Sequence, residues 1–243
     1  MRAPSTDLHR HDVLSFDCYG TLIDWESGIL AALEPVLAAH DVHLSDAGVL
    51  ELYAEIEPKA QAGPFVTYRE VLRKVMRGLG DRLAFSPSPS EMDRLADSIG
   101  SWRPFPDSVE ALRTLGRTFR LAVITNMDDD LFALSATHLN VNFEWVITSE
   151  QSRSYKPSLS NFRLAFEKIG VGREKLLHVA QSVYHDIVPA RALGLHTVWV
   201  NRRGHAEGSG ATRRASGEPD LEVPDLATLA SIVESRSRRE GKS

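Results

Sequence analysis

Val13-Leu14-Ser15-Phe16-Asp17-Cys18-Tyr19-Gly20-Thr21-Leu22-Ile23-Asp24 is a short apolar run that ends in an acid, a glycine and a threonine. A strand buried on both faces reads as near-continuous hydrophobics, and open α/β sheets hold their ligands beyond the carboxyl ends of their strands. Asp17 therefore stands where chemistry is done or where a turn is capped. With an ordinary pKa of about 3.9 it is ionised at neutral pH, so it attacks an electrophile without a base to deprotonate it.

Downstream of this strand the pattern is helical. Ile29, Leu30, Leu33, Val36 and Leu37 recur at helical spacing within Trp25 to His40, where Pro35 predicts a kink or a break. Helical patterns continue over Ala47 to Glu57, Tyr68 to Leu79 and Ser90 to Ile99, interrupted at Gly63-Pro64 and Ser86-Pro87-Ser88-Pro89. No strand-like alternation intervenes. Residues 25 to 102 are thus predicted to form an inserted helical cap domain over the carboxyl edge of the sheet.

From Pro106 helix and strand alternate, which implies parallel βαβ units. Predicted helices cover Asp107 to Thr118, Asp128 to His138, Ser158 to Ile169 and His185 to Leu193. The predicted strands are Leu121 to Thr125, Trp145 to Ile147, Leu176 to Ala180 and Thr197 to Val200. The fold class is α/β, a doubly wound parallel sheet with core segments 1–24 and 103–235. Arg202 to Pro219, rich in Gly, Arg and Ser, reads as a mobile loop, Asp225 to Glu234 as a last surface helix, and 236–243 as a frayed tail.

Composition narrows the function. A chain of 243 residues with a formal net charge of -5 carries no basic stripe for nucleic acid, and no segment approaches the roughly 18 apolar residues of a membrane helix. The opening Met1 to Asp12 holds no apolar run of signal-peptide length, and the single cysteine, Cys18, suits a reducing compartment. A cytoplasmic enzyme for a small molecule is the expectation.

In a parallel sheet all carboxyl ends share one edge, so Asp17, Thr125-Asn126, Lys156 and Asp186 should meet although they are far apart in sequence. Singly they read as a turn cap, a helix start, a solvated lysine and a helix-terminal acid. Jointly, each just past a buried strand, they describe a site. The chain resembles the haloacid dehalogenase superfamily over almost its whole length. Its four motifs appear as Phe16-Asp17-Cys18-Tyr19-Gly20-Thr21-Leu22, Val123-Ile124-Thr125-Asn126, Tyr155-Lys156-Pro157 and Val179-Ala180-Gln181-Ser182-Val183-Tyr184-His185-Asp186-Ile187. The resemblance implies a Rossmann-like core with Asp17 as nucleophile, Lys156 as charge partner and Asp186 positioning Lys156 or water. It also implies substrate contacts from Tyr19, Thr21, Thr125, Asn126, Gln181 and Ser182.

Most members of that superfamily are magnesium-dependent phosphatases, with a second aspartate two residues after the nucleophile and an acid opening the fourth motif. This chain has Tyr19 and Gln181 there. Magnesium prefers anionic oxygen ligands, and a phenol of pKa near 10 is a poor proton donor at neutral pH. Halide needs no proton to leave. The Asp-x-Tyr-Gly-Thr-Leu pattern resembles the 2-haloacid dehalogenase branch, implying a small anionic substrate, an Asp17 ester and no cofactor. The alternatives are a phosphatase that keeps weak magnesium binding through Asp17, the Tyr19 carbonyl and Asp186, and an anion-binding module without turnover.

The dehalogenases grip the halide with a cap arginine. Val49 to Pro64 contains no arginine, so Arg69 is the expected substitute, with Arg73 beside it on a helix face. Cap helices in such proteins often make dimer contacts, so the resemblance allows a homodimer. Of the remaining residues, Cys18 reads as packing, Asp24 as a helix start and His185 as a capping or surface residue. Trp25, Tyr68 and Trp102 flank the cap hinges, where they would line the pocket or pack in the core.

Overall fold

A computed structural model describes residues 7–204, 210–213 and 215–240, the last five of these as helix backbone only. Six strands form one parallel sheet: β1 (Val13–Phe16), β2 (Arg120–Ile124), β3 (Trp145–Ile147), β4 (Leu176–Ala180), β5 (His196–Val200) and β6 (Leu221–Val223). Their spatial order is β3-β2-β1-β4-β5-β6. The order reverses between β1 and β4, which makes that pair the switch point where adjacent connections part and leave a crevice. Phe16 lies opposite Val179 there, and Ser15 opposite His178.

The helices are α1 (Trp25–Ala39), α2 (Asp46–Ala60), α3 (Tyr68–Leu83), α4 (Pro89–Met92) and α5 (Arg94–Ser98), then α6 (Ser108–Leu115), α7 (Asp129–Leu139), α8 (Ser149–Ser152), α9 (Ser160–Ile169), α10 (Val188–Ala192) and α11 (Leu226–Glu240). Both faces of the sheet are covered, as apolar strands require. Leu14 and Phe16 of β1 pack with Leu112 of α6, Leu131 of α7 and Leu229 of α11. Val13 and Ile124 join Phe162, Ala165 and Ala190 from α9 and α10 on the opposite face.

Between β1 and β2 the described chain is helical throughout, with one short 3-10 turn at Ile99–Ser101 after α5. It departs and returns side by side. Ile23 bridges Pro104, the Asp24 N–H donates to the Arg103 carbonyl at 2.8 Å, and Phe105 N–H donates to Leu22 at 3.0 Å. Asp24 caps α1, its side chain accepting from Ser27 N–H. Cys18 is fully buried among apolar neighbours, as packing requires.

Several boundaries differ from those the sequence predicts. Pro35 does not break α1, which continues to Ala39; a proline forfeits one internal hydrogen bond, and burial of Leu33, Val36 and Leu37 around it holds the helix. Strand β6 lies between the expected loop, Arg202 to Pro219, and the expected helix, Asp225 to Glu234, where no element is predicted; it is a three-residue edge strand with too few side chains to show alternation. The fourth helix of the core opens as a π-helical turn over Val183–Ile187. Helix α11 runs to Glu240, past Arg236 where the tail is expected to begin; residues 241–243 lie outside the described residues, as do 1–6 of the polar opening stretch and 205–209 and 214 of the expected loop. No helix among the described residues is long and apolar enough to cross a membrane.

Gly28, inside α1, meets the Trp102 indole so closely that a Cβ would lie 2.5 Å from the ring. An alanine there gains helix propensity of about 1 kcal/mol but overpacks the seam. Gly28→Ala is expected to lower stability by about 1–3 kcal/mol in urea denaturation.

Candidate active site

The site grows out of the β1 end. Beyond Phe16 the Asp17 N–H still donates to Val179 of β4 at 3.0 Å, so the acid is held in strand register before the chain turns. The turn closes through Cys18, whose carbonyl accepts from Leu22 and Ile23 N–H at 2.7 and 3.0 Å. Gly20 sits at φ +88, and a Cβ there would meet Trp25 Nε1 at 3.0 Å and Gln181 Oε1 at 3.2 Å. Only glycine satisfies both the left-handed backbone and that space.

Lys156 enters from the loop after α8, at a cis peptide bond to Pro157. Its Nζ donates to Asp17 Oδ1 at 2.8 Å, to Asp186 Oδ1 at 2.7 Å and to the Ile124 carbonyl at 2.8 Å. All three ammonium protons are thereby satisfied although the side chain is 1% exposed. Asn126 fixes this loop: its Oδ1 accepts from Lys156 N–H at 2.7 Å and its Nδ2 donates to the Lys156 carbonyl at 3.2 Å.

Asp186 is completed by a residue the sequence reading left as ordinary strand. His178 Nε2 lies 3.0 Å from Asp186 Oδ1, and its Nδ1 lies 2.9 Å from Ser15 Oγ. An ionised carboxylate only accepts, so Nε2 carries the hydrogen on that side, and Ser15 Oγ is the partner of Nδ1. Polar Ser15 and His178 inside otherwise apolar β1 and β4, paired across the switch point, were the legible signal.

Burial dominates the electrostatics of the two acids. It pushes the Asp17 carboxyl above the ordinary carboxylate range, a rise that Lys156 opposes and Asp186 reinforces. Asp186 feels the same burial, but Lys156 and the His178 hydrogen bond outweigh it and hold the group below its ordinary value. Lys156 is held above its ordinary value because the two acids outweigh its own burial. His185 lines the cavity instead of capping or facing solvent; burial drives its pKa down to about 4, so it is neutral at pH 7.

The cavity above Asp17 measures about 40 Å³. At roughly 10–15 Å³ per water-sized group it holds about three or four such groups. Strand ends supply Asp17, Tyr19, Thr125, Asn126, Lys156, Ser182 and Asp186 to its walls, while the helical segment supplies Trp25, Glu57 and Tyr68. Trp102 packs against Tyr19 and Gly28 instead, at 5.9 Å between ring centroids for the tyrosine.

Three expected substrate contacts are placed differently. Thr21 is not on the cavity wall; its hydroxyl donates to Asp17 Oδ2 at 2.7 Å and its oxygen accepts from Gln181 N–H at 2.9 Å, so it orients the Asp17 carboxylate. Gln181 uses its backbone, the N–H on Thr21 and the carbonyl on Trp199 Nε1 at 2.9 Å, and does not line the cavity. Arg69 points away: its guanidinium pairs with Asp97 at 3.2 Å and Asp130 at 3.4 Å on the surface. Arg73 likewise pairs with Asp93. A helix start at Thr67 turns this face of α3 outward and leaves Tyr68 facing in. Two cavity residues, Glu57 and Thr212, carried no sequence signal, since an acid in an amphipathic helix reads as solvated and Thr212 lies in the irregular stretch before β6.

A divalent ion between Asp17 and Asp186 would compete with the Lys156 ammonium, which already bridges their Oδ1 atoms, while Asp17 Oδ2 accepts from Thr21 and the amide of Gln181 adds no anionic ligand. Among the described residues no group of three or more His, Cys, Asp or Glu side chains is arranged to hold a metal ion.

The family profile of haloacid dehalogenase-like hydrolases matches residues 11–194. The chain belongs to this family. Haloacetate dehalogenase H-2 of Moraxella sp. (strain B) is 26% identical over 233 residues, covering 93% of this chain and 99% of that enzyme. Among solved structures, the defluorinating L-2-haloacid dehalogenase Rha0230 superposes with a TM-score of 0.77 at 22% identity, covering 92% of this chain and 95% of that one. The L-2-haloacid dehalogenase of Xanthobacter autotrophicus with chloropropionic acid covalently bound gives 0.74 at 20% identity, covering 92% and 98%.

Lys156→Met removes the cation shared by two buried carboxylates. The expected loss is about 3–5 kcal/mol of folding stability, the cost of leaving buried charge unpaired, read by urea denaturation at neutral pH.

Proposed function

We propose that the protein is a metal-independent hydrolase of small 2-haloacids that works through an ester on Asp17. The observation that carries this reading is the Lys156 ammonium 2.8 Å from Asp17 and 2.7 Å from Asp186 in a site where Tyr19 and Gln181 stand at the positions that carry acids in the phosphatase alternative. The relatives named above are dehalogenases of haloacetate and 2-haloacids, and the cavity of about 40 Å³ restricts the site to small molecules.

Each residue has a physical task in this scheme. Thr21 and Lys156 hold one hydrogen bond each on the two Asp17 oxygens, leaving lone pairs free for attack. An Asp17 oxygen displaces halide from C2 of the acid in line, forming a carbon–oxygen bond as the carbon–halogen bond breaks. Substrate contacts fall to Tyr19, Thr125, Asn126 and Ser182, which share the cavity with Asp17. Water then attacks the Asp17 carboxyl carbon, not C2. The acyl–oxygen bond breaks, the 2-hydroxy acid leaves with the former Asp17 oxygen, which takes the second water proton, and the water oxygen remains on Asp17. Asp186, with one oxygen fixed by Lys156 and His178 and the other without a hydrogen-bond partner among the described residues, is the acceptor for the water proton.

Incubation with 2-chloropropionate is expected to release chloride at a rate unchanged by EDTA and abolished in Asp17→Asn. Turnover in ¹⁸O-water should raise the mass of the Asp17 peptide. Label appearing in the product alone, or chloride release that requires magnesium, would overturn the reading.

A further inference from the structure

In-line displacement sends the leaving atom away from Asp17, toward the wall built by the helical segment. On that wall stands Glu57, an acid 5% exposed on α2, in a stretch that contains no arginine. Its Oε1 accepts from the Tyr68 hydroxyl at 3.2 Å and from Gln61 Nε2. No hydrogen bond to Oε2 comes from the described residues, so the proton of the neutral acid belongs on Oε2.

We propose that Glu57 determines specificity in this site: its neutral carboxyl group donates a hydrogen bond across the cavity to the departing halide, and its ionised form bars anionic substrates. The inference rests on the haloacid reading above. Charge and geometry both support it. Asp17, Lys156 and Asp186 already leave one net negative charge in a small, buried cavity. A second carboxylate facing them would repel both the arriving acid and the leaving halide, whereas a buried neutral carboxylic acid is a strong donor.

Burial pushes the Glu57 pKa up to about 7, with the Tyr68 and Gln61 hydrogen bonds and the charge of Arg213 pulling it back. The other groups facing it do not change charge near that pH. Tyr53, Tyr68 and Tyr155 are held by burial above the ordinary phenol range, and His185 stays neutral above about 4. Arg213 is a fixed cation on an exposed loop position. The sign follows: above about pH 7 Glu57 ionises, and anion binding weakens as pH rises.

The test uses propionate, an unreactive carboxylate of similar size, titrated into the whole protein and followed by tryptophan fluorescence, since Trp25 lines the cavity. From about pH 6 to about pH 8.5 the wild-type Kd is expected to rise about 30-fold, and that of Glu57→Gln by less than about threefold. Tyr68→Phe, which keeps Glu57 but removes a bond favouring its ionised form, should move the midpoint to higher pH. A flat wild-type Kd, an equal rise in Glu57→Gln, an unmoved midpoint in Tyr68→Phe, or no saturable binding at about pH 6 overturns the inference. Chloride release from 2-chloropropionate is measured in parallel. Release that depends on Asp17 while the propionate Kd is flat removes the role of Glu57 and spares the dehalogenase reading. A pH-dependent Kd lost in Glu57→Gln without chloride release does the reverse.

Discussion

One ammonium group between two buried carboxylates sets the terms for the rest of this molecule. Taking three ions out of water costs several kcal/mol for each, and the cost is met only when every proton and lone pair finds a partner in good geometry. Lys156 meets it by giving its three protons to Asp17, Asp186 and the Ile124 carbonyl. Asp17 is steadied by Thr21, and Asp186 by His178, which Ser15 orients in turn. The polar chain thus runs from the strand interior of the sheet to the cavity. Loss of any link leaves a buried group without its partner.

The sheet order makes that convergence geometrically cheap. Because strand order reverses between β1 and β4, the acids that follow these neighbouring strands lie beside one another, and Lys156 reaches them from the connection after β3. The helical segment leaves and rejoins at the same edge through Ile23 and Pro104. Its inner wall is therefore laid over Asp17, and residues as remote in sequence as Glu57 and Ser182 face one small volume.

The strands β1 to β5 were legible because largely apolar runs of three to five residues ended in turn signals, and the site acids were legible because each stood past such a run. What the sequence hid was orientation. Thr21 and Gln181 belong to the right motifs, yet one serves the nucleophile and the other pairs through its backbone, a distinction that residue type does not carry. Arg69 was the wrong cation because a one-residue step along a helix turns the side chain by about 100°, and Tyr68 takes the inward place. Glu57 was hidden for the opposite reason, an acid in an amphipathic pattern that faces inward. Strand β6 was too short for its period to show.

The start of α3 is fastened to the core by Asp128, whose two carboxylate oxygens accept from Tyr68 and Arg69 N–H at 2.7 and 3.0 Å. Tyr155 adds a second clasp, its hydroxyl donating to the Val66 carbonyl at 2.7 Å. Both fasteners sit where the helical segment meets the βα loops, next to the residue that forms the cavity's far wall. Parting the helical segment from the core along that seam would break all three of these hydrogen bonds, so they hold the two sides of the cavity together there.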